Sequence, residues 1–256
     1  MAEGLQGRVA LVTGGGRGIG RAISLGLAAD GADVAVNYRR DREAAEAVVA
    51  EIEAMGRRAG AYQASVDRID EDRAMVEAVQ ADFGPVGILV NNGGIASRGN
   101  SVVDTDPDEL DRVVRTHAYG PHHLCALVVP AMRDLPRGDV VMISSVATDG
   151  LAARGGPYNM GKTAMEALAH TLAKEERGLH VNIVAPGLVA TDMGDRLARA
   201  TSGGVLSEAA DLDDRSPYGR VCRPDDVAAV VRFLVSDAAG YLTGQRIRVD
   251  GGGPLA

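Results

Sequence analysis

Cysteine is scarce in this chain: Cys125 and Cys222 are the only two. They form neither a disulfide framework nor a metal-ligand spacing, which points to reduced thiols in a cytoplasmic protein. No other metal-ligand cluster is visible. No apolar run approaches membrane-span length and residues 1–7 are short and polar, so neither an anchor nor a signal peptide is expected. Positive charge is also in short supply. The 27 Lys and Arg against 35 Asp and Glu leave a net charge of −8, which argues against nucleic acid or an anionic membrane as a partner. Repeats, low-complexity tracts and linkers are missing as well. What is present is apolar and glycine-rich: 46 % apolar residues and 33 glycines in 256 positions, enough for a sizeable core with many tight turns. The length fits one α/β domain over residues 1–256.

Val9-Ala10-Leu11-Val12 is a buried-strand run that breaks into Thr13-Gly14-Gly15-Gly16-Arg17-Gly18-Ile19-Gly20, followed by an amphipathic helix over about 21–29. Strand, glycine loop and helix N-terminus together suit a pyrophosphate, because the glycines admit close backbone approach and the helix dipole favours an anion. Context and spacing set the motif apart from an ordinary glycine-rich turn. A second strand over 33–37 runs into Tyr38-Arg39-Arg40. An acidic residue there would bind the ribose 2′-hydroxyl of NAD and repel a 2′-phosphate. No carboxylate occurs before Asp41, and Arg17 lies in the glycine loop. Arginine clamps phosphate with paired donors, so NADP(H) is favoured over NAD(H), with Arg39 a better candidate than Arg40.

The alternation continues with helices over 41–55 and 70–83 and strands over 59–64 and 88–90, the last stopped by Asn91-Asn92-Gly93-Gly94. Asp106-Pro107-Asp108-Glu109 is a helix start with a capping box. This helix is expected to run toward residue 129, bent at Pro121, which has no N–H for the carbonyl of His117. Strands over 140–145, 180–184 and 247–249 and helices over 158–177 and 224–236 complete a parallel, doubly wound sheet with ligand at its carboxyl edge. The 158–177 helix is small or apolar nearly all the way round, which points to packing against a second subunit. Residues 191–218, with Gly203-Gly204 and no strand, look like a mobile lid, and Gly251-Gly252-Gly253 closes the last strand.

Ser145 ends the apolar run beginning at Val140, thirteen positions before Tyr158, and Lys162 follows Tyr158 by four. That spacing puts phenol and ammonium on one helix face. A free phenol, with a pKa near ~10, is a poor acid or base at neutral pH. A fixed ammonium favours the phenolate, so Lys162 is expected to bring Tyr158 down toward the working range. Hydroxyl, phenol and ammonium together suit proton transfer to or from a carbonyl or alcohol oxygen. Alone, Tyr-x-x-x-Lys is an ordinary solvated helix face; behind a nucleotide site it is not.

The glycine loop, Asn91-Asn92-Gly93-Gly94, Ser145, Tyr158 with Lys162, Pro186-Gly187 with Thr191, and Val249-Asp250-Gly251-Gly252 together resemble the short-chain dehydrogenase/reductase family, over nearly the whole chain. Within it the strongest likeness is to 3-oxoacyl-carrier-protein reductases and related carbonyl reductases. The resemblance implies a seven-stranded Rossmann sheet with helices on both faces and, usually, a homotetramer. It makes Ser145 the residue that polarises the carbonyl, Tyr158 the acid/base, and Lys162 the ligand of the nicotinamide ribose. It implies cofactor contacts from Gly14, Arg17, Gly18, Ile19 and Gly20, then from Tyr38, Arg39, Ser65 and Val66. Asn92, Gly93, Pro186, Gly187, Val189 and Thr191 complete the set, with Tyr158 and Lys162.

Three positions depart from the family pattern. Gly93 stands where the family has Ala, and Ser65-Val66 where it has Asp-Val, which implies weaker adenine binding. The fourth catalytic residue, an Asn whose carbonyl holds a relay water, is here His117. Pro121 is expected to preserve the kink and the free carbonyl, and the imidazole is a candidate to exchange protons near neutral pH; the other reading is an impaired relay. Three functions follow: an NADPH-dependent carbonyl reductase, with 3-oxoacyl thioesters as candidate substrates; an NAD(P)-dependent alcohol, sugar or steroid dehydrogenase; and a non-catalytic nucleotide-binding subunit, against which the retained Ser145, Tyr158 and Lys162 count. Arg133, Arg137 and Arg177 are candidates for docking an acidic carrier, or else ordinary solvated charges.

Overall fold

The short apolar runs pair as parallel strands because each is flanked by an amphipathic stretch that covers one face of the resulting sheet. In the computed structural model, which describes residues 4–201, 205–216 and 218–252, the strands are β1 (Val9–Val12), β2 (Asp33–Tyr38), β3 (Ala59–Gln63), β4 (Ile88–Asn91), β5 (Gly138–Ile143), β6 (Leu179–Pro186) and β7 (Arg246–Val249). Their order is β3-β2-β1-β4-β5-β6-β7, with every pair parallel. Val12 of β1 sits beside Val36 on one side and Val90 on the other. The strand order reverses there, opening a crevice at the carboxyl ends of β1 and β4.

The helices are α1 (Gly18–Ala29), α2 (Arg42–Ala54), α3 (Ile69–Phe83), α4 (Pro107–Val114), α5 (Gly120–Met132), the short α6 (Ala147–Gly150), α7 (Gly156–Glu175), α8 (Asp192–Thr201) and α9 (Pro224–Val235). They cover both faces. Ile23, Leu27, Val48, Ile52, Val231 and Leu234 of α1, α2 and α9 fill one core. Met75, Val79, Leu124, Val128 and Met165 of α3, α5 and α7 fill the other. At the amino edge, buried Asp139 of β5 accepts two bonds from Arg137, each 2.9 Å, and one from Arg8. Arg8 reaches on to the carbonyls of Gly87 and Val235, and Arg137 to that of Leu234, tying strand ends to α9.

Several expectations are corrected. The helix expected to run toward residue 129 with a bend at Pro121 is α4 and α5 separated by a π turn over Arg115–Tyr119, in which the Gly120 N–H donates to the Arg115 carbonyl five residues back. Pro121 has no N–H to continue α-helical bonding, and Gly120 packs so closely that a Cβ would lie 2.4 Å from the Val66 carbonyl. The capping box is only half formed: Asp106 accepts from the Asp108 N–H at 2.9 Å, but buried Glu109 turns away to accept from the Arg98 N–H at 2.5 Å. Ser145 lies two residues beyond β5 rather than at its end. The first helix begins at Gly18, three residues early, because glycine-loop residues form its first turn. Residues 191–218 have no named strand among those described, but they are helical, as α8 and a 3₁₀ turn over Ala209–Arg215. Ala190 N–H to the Cys222 carbonyl at 2.9 Å closes the base of this segment. Gly203, Gly204 and Gly253 lie outside the described residues.

Candidate active site

The glycine loop closes onto its neighbours so tightly that side chains are excluded. Gly14 and Gly18 hold φ of 60° and 51°, in the left-handed region that favours glycine. A Cβ on Gly20 would lie 2.1 Å from the Gly14 carbonyl, and one on Gly16 3.1 Å from Ala45 of α2. Buried Asn37 accepts from the Gly14 N–H at 3.1 Å and donates to the carbonyls of Tyr62 and Ala64. Asn92 Nδ2 donates to the Thr13 carbonyl at 2.8 Å, and Thr13 Oγ1 accepts from the N–H groups of Asn92 and Gly93 at 2.9 and 2.8 Å. Two asparagines and a threonine therefore lock the ends of β1, β2 and β4 into a bare backbone cradle at a helix N-terminus, which fits a pyrophosphate.

The other nucleotide candidates stand at the same edge. Ile19 and Val189 pack on the core below, and Thr191 approaches the loop, its methyl 3.2 Å from a Cβ built on Gly18. Pro186 ends β6, and Gly187 N–H bonds the Val249 carbonyl at 3.0 Å. The Ser65 hydroxyl donates to Asp67 at 2.5 Å, which leaves its oxygen free to accept from an amino group; Val66 follows it. Tyr38 is buried at the end of β2, whereas Arg39 is exposed. Arg17 lies 3.2 Å from Asp41, both well exposed, and Asp41 also caps α2 by accepting from the Ala44 N–H. The first carboxylate after β2 is thus already engaged by the cap and by Arg17.

Ser145 Oγ accepts from the Ala147 N–H at 3.1 Å and hydrogen-bonds Tyr158. Lys162, 3 % exposed, donates to the Ile143 carbonyl at 2.6 Å. Burial pushes its ammonium down to about 7, against the upward pull of Glu166 one turn on. The expected lowering of Tyr158 by Lys162 does not hold. Burial raises the phenol, and the bond to Ser145 is what opposes it. Lys162 Nζ is turned to Ile143 and lies 5.8 Å from the phenol ring centroid.

His117 is buried in the π turn with its ring edge-on to Tyr158, centroids 5.1 Å apart. Nε2 lies 2.7 Å from the Ile95 carbonyl and 3.3 Å from the Ile95 nitrogen; the shorter contact, to an oxygen that only accepts, favours the Nε2–H tautomer, and buried Nδ1 has no partner among the described residues. A Cβ on Gly94 would lie 2.7 Å from the imidazole Cε1, so the glycine at 94 makes room for the ring. Burial, then the charge on Lys162, push this imidazole down to about 3. Burial and the neighbouring ammonium both disfavour the imidazolium, so the ring is neutral near pH 7. Proton exchange by the imidazole near neutral pH is therefore corrected: His117 is a neutral hydrogen-bond donor that holds the Ile95 segment.

The comparisons with known proteins agree with this geometry. The family model described as Enoyl-(Acyl carrier protein) reductase matches residues 14–253. The chain is 40 % identical over 249 residues to 3-oxoacyl-[acyl-carrier-protein] reductase FabG of Staphylococcus aureus, covering 95 % of this chain and 96 % of that one. The chain belongs to the short-chain dehydrogenase/reductase family. It is an oxidoreductase fold in full, with the family's seven-stranded sheet. Versicolorin reductase of Emericella nidulans is 39 % identical over 257 residues, covering 97 % and 96 % of the two chains. A short-chain dehydrogenase from Burkholderia cenocepacia, solved in complex with NADP, superposes with a TM-score of 0.86 at 37 % identity over 97 % and 98 % of the chains.

Within this family member, sequence reasoning gave no role to Asn37, Glu166 and Arg246, and read Glu109 only as a helix cap. Glu166 follows Lys162 by four, a same-face spacing that could have signalled it; Arg246 carries no local signal. The suggested basic patch is not free, since Arg133 is paired with Glu176 at 2.9 and 2.6 Å and Arg137 with buried Asp139. Among the described residues no helix is long and apolar enough to cross a membrane.

Proposed function

We propose that the chain is a cytoplasmic NADPH-dependent carbonyl reductase, with 3-oxoacyl thioesters as a substrate class, working as one domain with residues 191–218 as lid. The observation that carries this reading is the grouping of Ser145, Tyr158 and Lys162, with the phenol in hydrogen-bonding reach of Ser145 and Lys162 Nζ 5.8 Å from its ring centroid. A neutral phenol is a proton donor, which suits reduction of a carbonyl more directly than oxidation of an alcohol. A bound nicotinamide cofactor supplies the hydride. Ser145 donates a hydrogen bond to the substrate oxygen and polarises the carbonyl. As negative charge develops there, Tyr158 gives that oxygen its proton, and Lys162, anchored on the Ile143 carbonyl, binds the nicotinamide ribose. The glycine loop, with Ile19, holds the pyrophosphate; Asn92, Gly93, Pro186, Gly187, Val189 and Thr191 enclose the nicotinamide half. Ser65 and Val66 meet the adenine, and Arg17, Tyr38 and Arg39 the 2′-phosphate. His117 supports the site as a fixed, neutral ring.

The exposed face of α7, with Met160, Ala164 and Ala167, supports packing in a homotetramer. The test is Tyr158→Phe, assayed by NADPH oxidation with acetoacetyl thioester and a panel of ketones. Turnover should fall by about 10³-fold or more with NADPH binding, read by fluorescence, retained. A variant within tenfold of the wild type would remove Tyr158 from the mechanism.

A further inference from the structure

Behind Ser145 lies a side-chain network that the carbonyl-reductase mechanism does not itself require. Arg246, the first residue of β7, is only partly exposed and spends all three guanidinium nitrogens on one segment and its support. Nε donates to Glu166 Oε1 at 2.9 Å. Nη2 donates to the Ser145 carbonyl at 3.2 Å and to Thr148 Oγ1 at 2.8 Å. Nη1 lies 3.1 Å from Asp149 Oδ1. Glu166 Oε1 also accepts from Ser144 Oγ at 2.5 Å and lies 3.0 Å from Thr148 Oγ1. Ser144, Ser145, Thr148 and Asp149 are thereby bound to α7, the helix that presents Tyr158 and Lys162.

We propose that Arg246 and Glu166 are positioning residues: together they seat the segment carrying Ser145 against the helix carrying Tyr158 and Lys162, and so fix the separation across which substrate is polarised and protonated. This rests on the carbonyl-reductase reading. A planar guanidinium suits the task because its donors keep fixed angles, and a misplacement of about 1 Å at a reacting centre costs on the order of 100-fold in rate. The pair also faces the charges of the site. Lys162 of α7 and Asp149 of α6 face it, and Arg248 of β7 lies 3.7 Å from Asp149. Glu166 holds the Lys162 ammonium in its charged form against burial. Loss of that carboxylate should therefore let Lys162 deprotonate at lower pH.

The experiment measures kcat and KM from pH 6 to 9, and amide hydrogen exchange of peptides spanning 144–151, for wild type, Arg246→Ala, Arg246→Lys and Glu166→Gln. Arg246→Ala should lower kcat about 10- to 100-fold with KM within about threefold, and speed exchange in 144–151 but not in β1. Arg246→Lys should recover at least about fivefold of that loss, since one donor can still reach Glu166. Glu166→Gln keeps an acceptor oxygen but no charge, and should move the alkaline fall of kcat to lower pH. An Arg246→Ala enzyme with wild-type kcat, unchanged exchange in 144–151, or an unmoved pH profile in Glu166→Gln would overturn the assignment. If the wild type reduces no carbonyl, the functional reading fails, and the exchange result alone decides whether the pair seats the segment.

Discussion

At the residue scale, the chemistry of this site is set by burial more than by charge pairing. Burial raises the phenol of Tyr158, lowers the ammonium of Lys162 to about 7 and lowers the imidazole of His117 to about 3. His117→Asn should therefore leave the pH–rate profile between pH 6 and 8 unmoved, because the ring it removes does not titrate there. Movement of a limb by half a unit or more would show that the imidazole exchanges protons during turnover. Tyr158, Lys162 and Ser145 were legible in the sequence because helix periodicity and a nearby nucleotide loop give their spacing meaning. The direction of the Tyr158 shift was not, because spacing shows which groups are near and not which are desolvated. Glu166 and Arg246 illustrate the same limit, being 80 positions apart and joined only by the fold.

At the scale of elements, two buried carboxylates make separable predictions. Asp72 of α3, 0 % exposed, lies 3.3 Å from His123 of α5. The distance suits an ion pair, but burial raises Asp72 to about 8 and lowers His123, so the contact is between neutral groups near pH 7. A carboxyl whose pKa is raised by folding binds more protons in the native state, so its contribution is present at low pH and fades between about 4 and 8. Asp72→Asn should accordingly gain on the wild type in urea denaturation as pH rises from 5 to 8; a constant difference across that range would show that Asp72 is ionised in the native state. Asp139 is the opposite case, a buried carboxylate bound by two arginines. Asp139→Asn leaves Arg8 without a counter-charge and Arg137 with only Asp237 at 3.7 Å, and should cost about 3 kcal/mol of stability, read as a lower urea midpoint. The staple lies at the amino edge, away from the reacting groups, so KM at 25 °C should stay within about twofold; a stability loss below about 0.5 kcal/mol would show that the pair is replaceable by solvent.

The elements themselves were largely legible. Strands buried on both faces, such as Val9–Val12 and Ile88–Asn91, carry continuous apolar runs that few other structures explain. Pro121 marked a bend, yet whether the chain relieves it by a kink or by a π turn depends on the contact of Gly120 with Val66, which lies in another part of the chain. Glu109 looked like half of a capping box and instead satisfies the Arg98 N–H, a choice made by the loop beside it.

At the scale of the whole molecule, sheet order places the glycine cradle, Ser145 and Tyr158 along one edge, at the point where strand order reverses. The most direct measurement compares kcat/KM of the wild type for NADPH and NADH, with acetoacetyl thioester and a small ketone panel as acceptors. Turnover with NADPH should be favoured by about tenfold or more, corresponding to roughly 1.4 kcal/mol, if Arg17 and Arg39 hold the 2′-phosphate. Arg39→Ala should narrow this preference while leaving NADH turnover unaffected. Equal use of the two cofactors would contradict the assignment of Arg17 and Arg39, and absence of turnover with bound cofactor on every carbonyl would contradict the reductase itself.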